Sequence, residues 1–132
     1  MAQAENGATG VTADGLEVST EKVEILPGAS TDLTAMTFAI HNEDHTLGNA
    51  LRHCIMQNPD VEFCGYSVPH PSLQKIHLRI QTLTTTTALD ALNKGLSDLY
   101  GMCEHMLTEF EDVMRNGDYQ IVDDDEATAT TS

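Results

Sequence analysis

The chain has 132 residues and a net charge of −15, with 21 acidic residues against six basic ones. Its length suits one domain. So few cations exclude a free-standing nucleic-acid binder or a basic membrane-surface helix, since both supply Lys and Arg to phosphate. No run approaches the roughly 18–20 apolar residues of a membrane span. The first residues, Met1-Ala2-Gln3-Ala4-Glu5, carry neither a basic start nor an apolar core, so an intracellular protein is expected. Three cysteines, none in a C-x-x-C pair, suggest neither a disulfide framework nor a zinc knuckle. Trp is absent, and only three Phe and three Tyr are present. A small core this poor in aromatics points to a protein that completes its core with a partner.

The charge divides the chain into three. Residues 1–34 hold six acids and Lys22, a net −5, and are expected to be an acidic, mostly flexible segment with one short strand near Lys22–Leu26. Residues 35–115 carry ten acids and five bases, again −5, and hold the apolar periodicity of a folded domain. Residues 116–132 carry five acids and no base, and read as an acidic disordered tail.

Within the middle segment, Met36, Phe38 and Ile40 alternate with smaller or polar residues, the period of a strand. Leu47, Ala50, Leu51, Cys54 and Ile55 form one apolar stripe of a helix over Thr46–Gln57. Asp44 or Thr46 can cap its start, and Asn58-Pro59 ends it. A second strand spans Val61–Val68, with a bulge expected near Cys64-Gly65. Ile76, Leu78 and Ile80 mark the cleanest strand.

From Ala88 to Arg115 the apolar residues Leu89, Leu92, Leu96, Leu99, Cys103, Met106, Phe110 and Val113 recur at alternating spacings of three and four. That is a heptad seam on a helix roughly 42 Å long. Its flanks are largely uncharged, with Tyr100, Met102, Leu107 and Met114 among them. The apolar band is therefore wider than a coiled-coil seam, and a helix apolar on two sides is expected: one side for the sheet, one for a partner. Gly95 and Gly101 each cost about 1 kcal/mol against Ala unless another backbone approaches closely. Asn116-Gly117 stops the helix. The expected architecture is α+β: strand–helix–strand–strand–long helix, with a small, mostly antiparallel sheet.

No catalytic set emerges. His41, Glu43, Asp44 and His45 could be combined into a metal-dependent enzyme site, but the order departs from H-E-x-x-H and the two histidines are not expected on one helical face. No nucleophile elbow or phosphate loop is present. The residues call for no cofactor. A homodimeric adaptor is the other alternative to the reading that follows.

The run Glu43-Asp44-His45-Thr46-Leu47-Gly48-Asn49, with Arg52 after it and Val61, Phe63, Tyr66, His70 and Pro71 at fixed spacing, resembles the small alpha-like subunits of archaeal and eukaryotic RNA polymerases. Thr46 to Arg52 also resembles the N-terminal domain of the bacterial alpha subunit. Asn58-Pro59 and Cys64-Gly65 look like the type shared by RNA polymerases I and III. The resemblance covers roughly residues 35–115. His53 and the acidic tail depart from it.

The resemblance implies the alpha dimerisation fold and a non-catalytic subunit that pairs with a larger alpha-like subunit. The pair would form a platform for the large catalytic subunits of polymerases I and III, in the nucleus and nucleolus. It implies no direct contact with nucleic acid or membrane. Leu47, Leu51, Ile55, Leu92, Leu96, Leu99, Cys103, Met106 and Phe110 are the expected partner interface. Gly48 is expected to admit a neighbouring backbone, Thr46 and Asn49 to satisfy helix-start amides, and Arg52 to contact a large subunit.

Overall fold

A computed structural model describes residues 21–122, together with the backbone of two short paired strands, β1 (Gly10–Val11) and β2 (Glu17–Val18). The flexibility expected of the other residues in 1–20, and of 123–132, lies outside the described residues. Two compact units are distinguished, residues 1–99 and 100–132.

The first unit is built on a four-stranded antiparallel sheet of order β3-β4-β6-β5. The strands are β3 (Val23–Ile25), β4 (Ala35–His41), β5 (Val61–Ser67) and β6 (Lys75–Thr82). Strand β3 lies within the stretch where a short strand is expected. Period-two alternation sends one set of side chains to each face of a strand. The register pairs Met36 with Ile80, Phe38 with Leu78 and Ile40 with Ile76, so six apolar residues meet on one face. All six are buried.

The expected bulge in β5 lies earlier than Cys64-Gly65. Register shifts between Val61 and Phe63. Val61 and Cys64 are both buried yet an odd number of residues apart, so one extra residue must be absorbed between them. Glu62 takes that place, and Gly65 stays in regular register opposite Arg79.

Helix α1 (His45–Met56) begins where Asp44 accepts a hydrogen bond from the Thr46 amide at 2.9 Å. Asp44, not Thr46, is the cap. Hydrogen bonds from the Thr46 amide and side chain, with a smaller contribution from His45, hold the Asp44 carboxyl below the usual carboxylate range. Leu51, Cys54 and Ile55 are buried against the sheet, as their stripe predicts.

Helix α2 (Ala88–Asn116) starts at Thr87, whose hydroxyl accepts from the Asp90 amide at 3.2 Å. It stops at Gly117, which takes the left-handed backbone (φ 68°) while the Asp118 amide reaches back to the Val113 carbonyl. The face of α2 in the core is Ala88, Ala91, Leu92 and Gly95, with Leu99 partly buried. It is offset from the heptad seam, because Leu89 and Leu96 are exposed. A β-carbon on Gly95 would lie 2.4 Å from Ile55 Cγ1, so the close approach is to a packed side chain rather than to a backbone. Gly101 has nothing within 4 Å of a β-carbon position. Among the described residues no helix is long and apolar enough to cross a membrane.

Two stability outcomes follow from these contacts. Gly95→Ala should destabilise by about 1–2 kcal/mol, because overpacking against a fully buried Ile55 outweighs the gain in helix propensity. Gly101→Ala should stabilise by up to about 1 kcal/mol. Urea unfolding of the two variants checks the opposite signs. Asp44 is depressed in the folded state, so its contribution is present above the unfolded carboxylate value of about 3.9 and is lost as pH falls through the lower folded value. Asp44→Ala should therefore unfold more readily than the parent at neutral pH, and the gap in melting temperature should close on acidification below about pH 4.

Candidate functional site

The polar run 41–49 does not gather into a catalytic cluster. Its members are engaged one by one. Glu43 binds Lys22 Nζ at 2.8 Å, His41 Nε2 lies 3.3 Å from Glu24 Oε2, and Asp44 is the helix cap. His45 Nδ1 and the Tyr66 hydroxyl share a hydrogen bond of 2.9 Å, with the rings edge-on at 5.6 Å between centroids. His41 and His45 thus face different partners. Among the described residues no group of three or more His, Cys, Asp or Glu side chains is placed to hold a metal ion.

Cys64 is buried, and desolvation pushes its thiol up to about 11, partly opposed by the charge of Arg52. It stays a thiol at neutral pH and is a poor nucleophile.

What the motif residues build is a packed corner. Gly48 lies under the Tyr66 ring, and a β-carbon there would come within 2.7 Å of ring carbons. The glycine therefore admits an aromatic face, not the backbone expected of it. Leu47 and Tyr66 pack against the core, and Val61 belongs to it. Asn49 and Arg52 are exposed on α1. His70 Nδ1 lies 2.6 Å from Ser72 Oγ and 3.1 Å from the Ser72 amide nitrogen, which folds the Pro69–Ser72 turn on itself. A groove of about 440 Å³ between this turn and the helix start is lined by Glu43, Asp44, His45, Val68, Pro71 and Leu73, with Gln74. Phe63 stands apart, exposed on the other face of the sheet, since its register partner is outward-facing Gln81.

The apolar surface lies on α2. The expected interface set divides there. Leu51, Ile55 and Leu92 are at most 2% exposed and fill the chain's own core, so they have no surface left for a partner. Leu47 and Leu99 are partly buried against that core. Leu96, Cys103, Met106 and Phe110 are exposed, the last two at 60% and 65%. Leu89, Tyr100, Met102, Leu107, Val113 and Met114 join them. The uncharged flanks of the seam carry the signal for most of these. From Tyr100 to Val122 every described residue is exposed except half-buried Asp112. Free large apolar patches on a chain mark places where another molecule binds.

Comparison with known proteins gives this surface a family. Residues 35–109 match the RNA polymerase Rpb3/Rpb11 dimerisation domain. The chain is 59% identical over 95 residues to the DNA-directed RNA polymerases I and III subunit RPAC2 of Schizosaccharomyces pombe, covering 72% of this chain and 76% of that one. It is 54% identical over 97 residues to the RPAC2 subunit of Saccharomyces cerevisiae, covering 73% and 68%. Its fold is like that of DNA-directed RNA polymerase subunit L from Thermoplasma acidophilum, with a TM-score of 0.60 at 17% identity over 76% of this chain and 96% of that one. The antiparallel sheet, the two helices and the match over more than half the length agree: the chain belongs to the RNA polymerase Rpb3/Rpb11 dimerisation-domain family.

Proposed function

We infer that this chain is the small alpha-like subunit of RNA polymerases I and III, a non-catalytic member of both enzymes. Residues 35–115 act as its dimerisation domain. It pairs with a larger alpha-like subunit, and the pair is the platform on which the two large catalytic subunits assemble. Through those enzymes it serves the synthesis of rRNA precursors, 5S rRNA and tRNA, in the nucleus and, for polymerase I, the nucleolus. The relatives' names support the polymerase assignment.

The observation that carries the pairing is the uncovered apolar side of α2. Leu96, Met106 and Phe110 are exposed on α2, whereas Ala88, Ala91, Leu92 and Gly95 near its start are buried inside the chain. Met106 and Phe110 continue the side of Ala88 and Leu92 about five turns further on, where no described residue of the chain covers it. Burying such a side chain is worth about 1.5–3 kcal/mol each, so leaving this band in water is costly and covering it is a strong drive to pair. Electrostatics agrees. A chain of net charge −15 is suited to protein contacts away from the nucleic-acid channel.

Tagged protein purified from cells should bring down a larger alpha-like chain and both large polymerase subunits; their absence would overturn the assignment. Leu96→Asp and Phe110→Asp should each abolish pairing on co-expression, because a charge buried without a partner costs about 3 kcal/mol or more. Both positions are exposed in the chain alone, so its own circular dichroism should be unchanged. Removing residues 117–132 should leave pairing intact, and template DNA should give no direct crosslink to this subunit.

A further inference from the structure

The sheet has a second face, turned away from α1 and α2, that pairing through α2 does not use. Its residues follow from the register. Thr37 lies opposite Arg79, Ala39 opposite His77 and His41 opposite Lys75; on the other side of β6, Gly65 lies opposite Arg79 and Ser67 opposite His77. A groove of about 400 Å³ runs over this face between Thr37, Phe63, Gly65, Ser67, His77 and Arg79.

Three features set the groove apart. It is basic in an acidic chain. Arg79 lines it and, like Lys75 further along this face and Arg52 on α1, forms no ion pair among the described residues; the register also puts Glu24 on this face, where its carboxylate lies beside His41. Arg79 donates to the Thr37 hydroxyl at 3.1 Å, leaving most of its guanidinium donors available. No acidic residue among the described ones lines the groove. Second, His77 Nε2 is buried without a hydrogen-bond partner among the described residues. Buried polar atoms are normally satisfied, so a ring turn that brings this nitrogen to the groove, which His77 lines, would gain a hydrogen bond from a group bound there. Third, the Phe63 ring, 48% exposed, leans over Gly65 so closely that a β-carbon there would be 2.9 Å from its Cζ. That leaves an aromatic wall beside the cations.

We propose that this outer groove docks an acidic segment of another protein. A carboxylate of the segment pairs with Arg79, a polar group of it satisfies His77 Nε2, and an apolar side chain next to the carboxylate packs on Phe63. Charge complementarity selects this occupant: on a molecule of net charge −15, the groove presents the Arg79 guanidinium with no acidic residue among its described lining. Guanidinium forks favour carboxylates over point-charge contacts, and Arg79 has its fork unoccupied by any acid.

The test uses the full-length chain and a fluorescein-labelled peptide, acetyl-Asp-Asp-Phe-Asp-Asp-amide, followed by anisotropy. Saturable binding is expected, weakening about tenfold or more in Arg79→Glu and when salt rises from about 0.05 to about 0.5 M. The Asn counterpart of the peptide should bind at least as poorly. Phe63→Ser is the second variant, on an exposed side chain, and should weaken binding several-fold with an unchanged melting curve. Lys94→Gln, on a cation already paired with Asp98, should bind as the parent does. A benzoylphenylalanine in place of the peptide's Phe should crosslink within residues 63–79. Equal binding by the Arg79 and Phe63 variants, a crosslink confined to other residues, or no saturable binding up to about 1 mM would each overturn the proposal.

Discussion

The contact between Ile55 and Gly95 sets the geometry on which the rest depends. Ile55 is fully buried, and a β-carbon on Gly95 would overlap it. The two helices can meet at that depth only because α2 presents Ala88, Ala91 and Gly95 to the core. Gly95 lets the helix settle directly onto Ile55 of α1. The larger Leu89 and Leu96 are left on the surface. A leucine at position 95 would clash with Ile55 and push this part of α2 off the core.

The same economy explains why the chain is poor in aromatics yet carries a large apolar surface. Its core is made by Phe38, Leu51, Ile55, Ile76, Leu78 and Ile80, one aromatic among aliphatics. Much of the remaining apolar content stands on α2, where it is available for burial between chains. The motif residues serve this arrangement from the other helix. Asp44 fixes where α1 begins, and Gly48 lets it settle beneath Tyr66, whose hydroxyl is held by His45. A run that resembles a loop of reactive groups is in this fold a device for seating a helix.

Charge is organised just as locally. Three of the six Lys and Arg side chains, Lys22, Lys94 and Arg115, are matched by a neighbouring carboxylate. The outer face of β6 departs from that pattern at Lys75 and Arg79. Strand alternation makes this possible: Ile76, Leu78 and Ile80 must face the core, so whatever lies between them must face outward. One strand thereby supplies buried apolar residues to the core and the cations Lys75 and Arg79 to the other face.

Much of this was legible in the residues themselves. Period-two runs at Met36–Ile40 and Ile76–Ile80 located β4 and β6, and Pro59 and Gly117 marked helix ends, because alternation and backbone restriction are local properties. The spread of apolar residues around α2 pointed to more apolar surface than one sheet can cover. Which of them enters the chain's own core was decided only by tertiary packing. Leu92 and Leu96 are the same residue type one turn apart in a single seam, yet one is buried and the other exposed. The small residues beside them, Ala88, Ala91 and Gly95, contribute nothing to hydrophobic periodicity but determine how closely the helix can approach. Likewise Gly48 signals a need for space, while only the folded chain shows that Tyr66, eighteen residues on, is what fills it. Periodicity is carried by neighbours along the chain; steric fit is carried by neighbours in space.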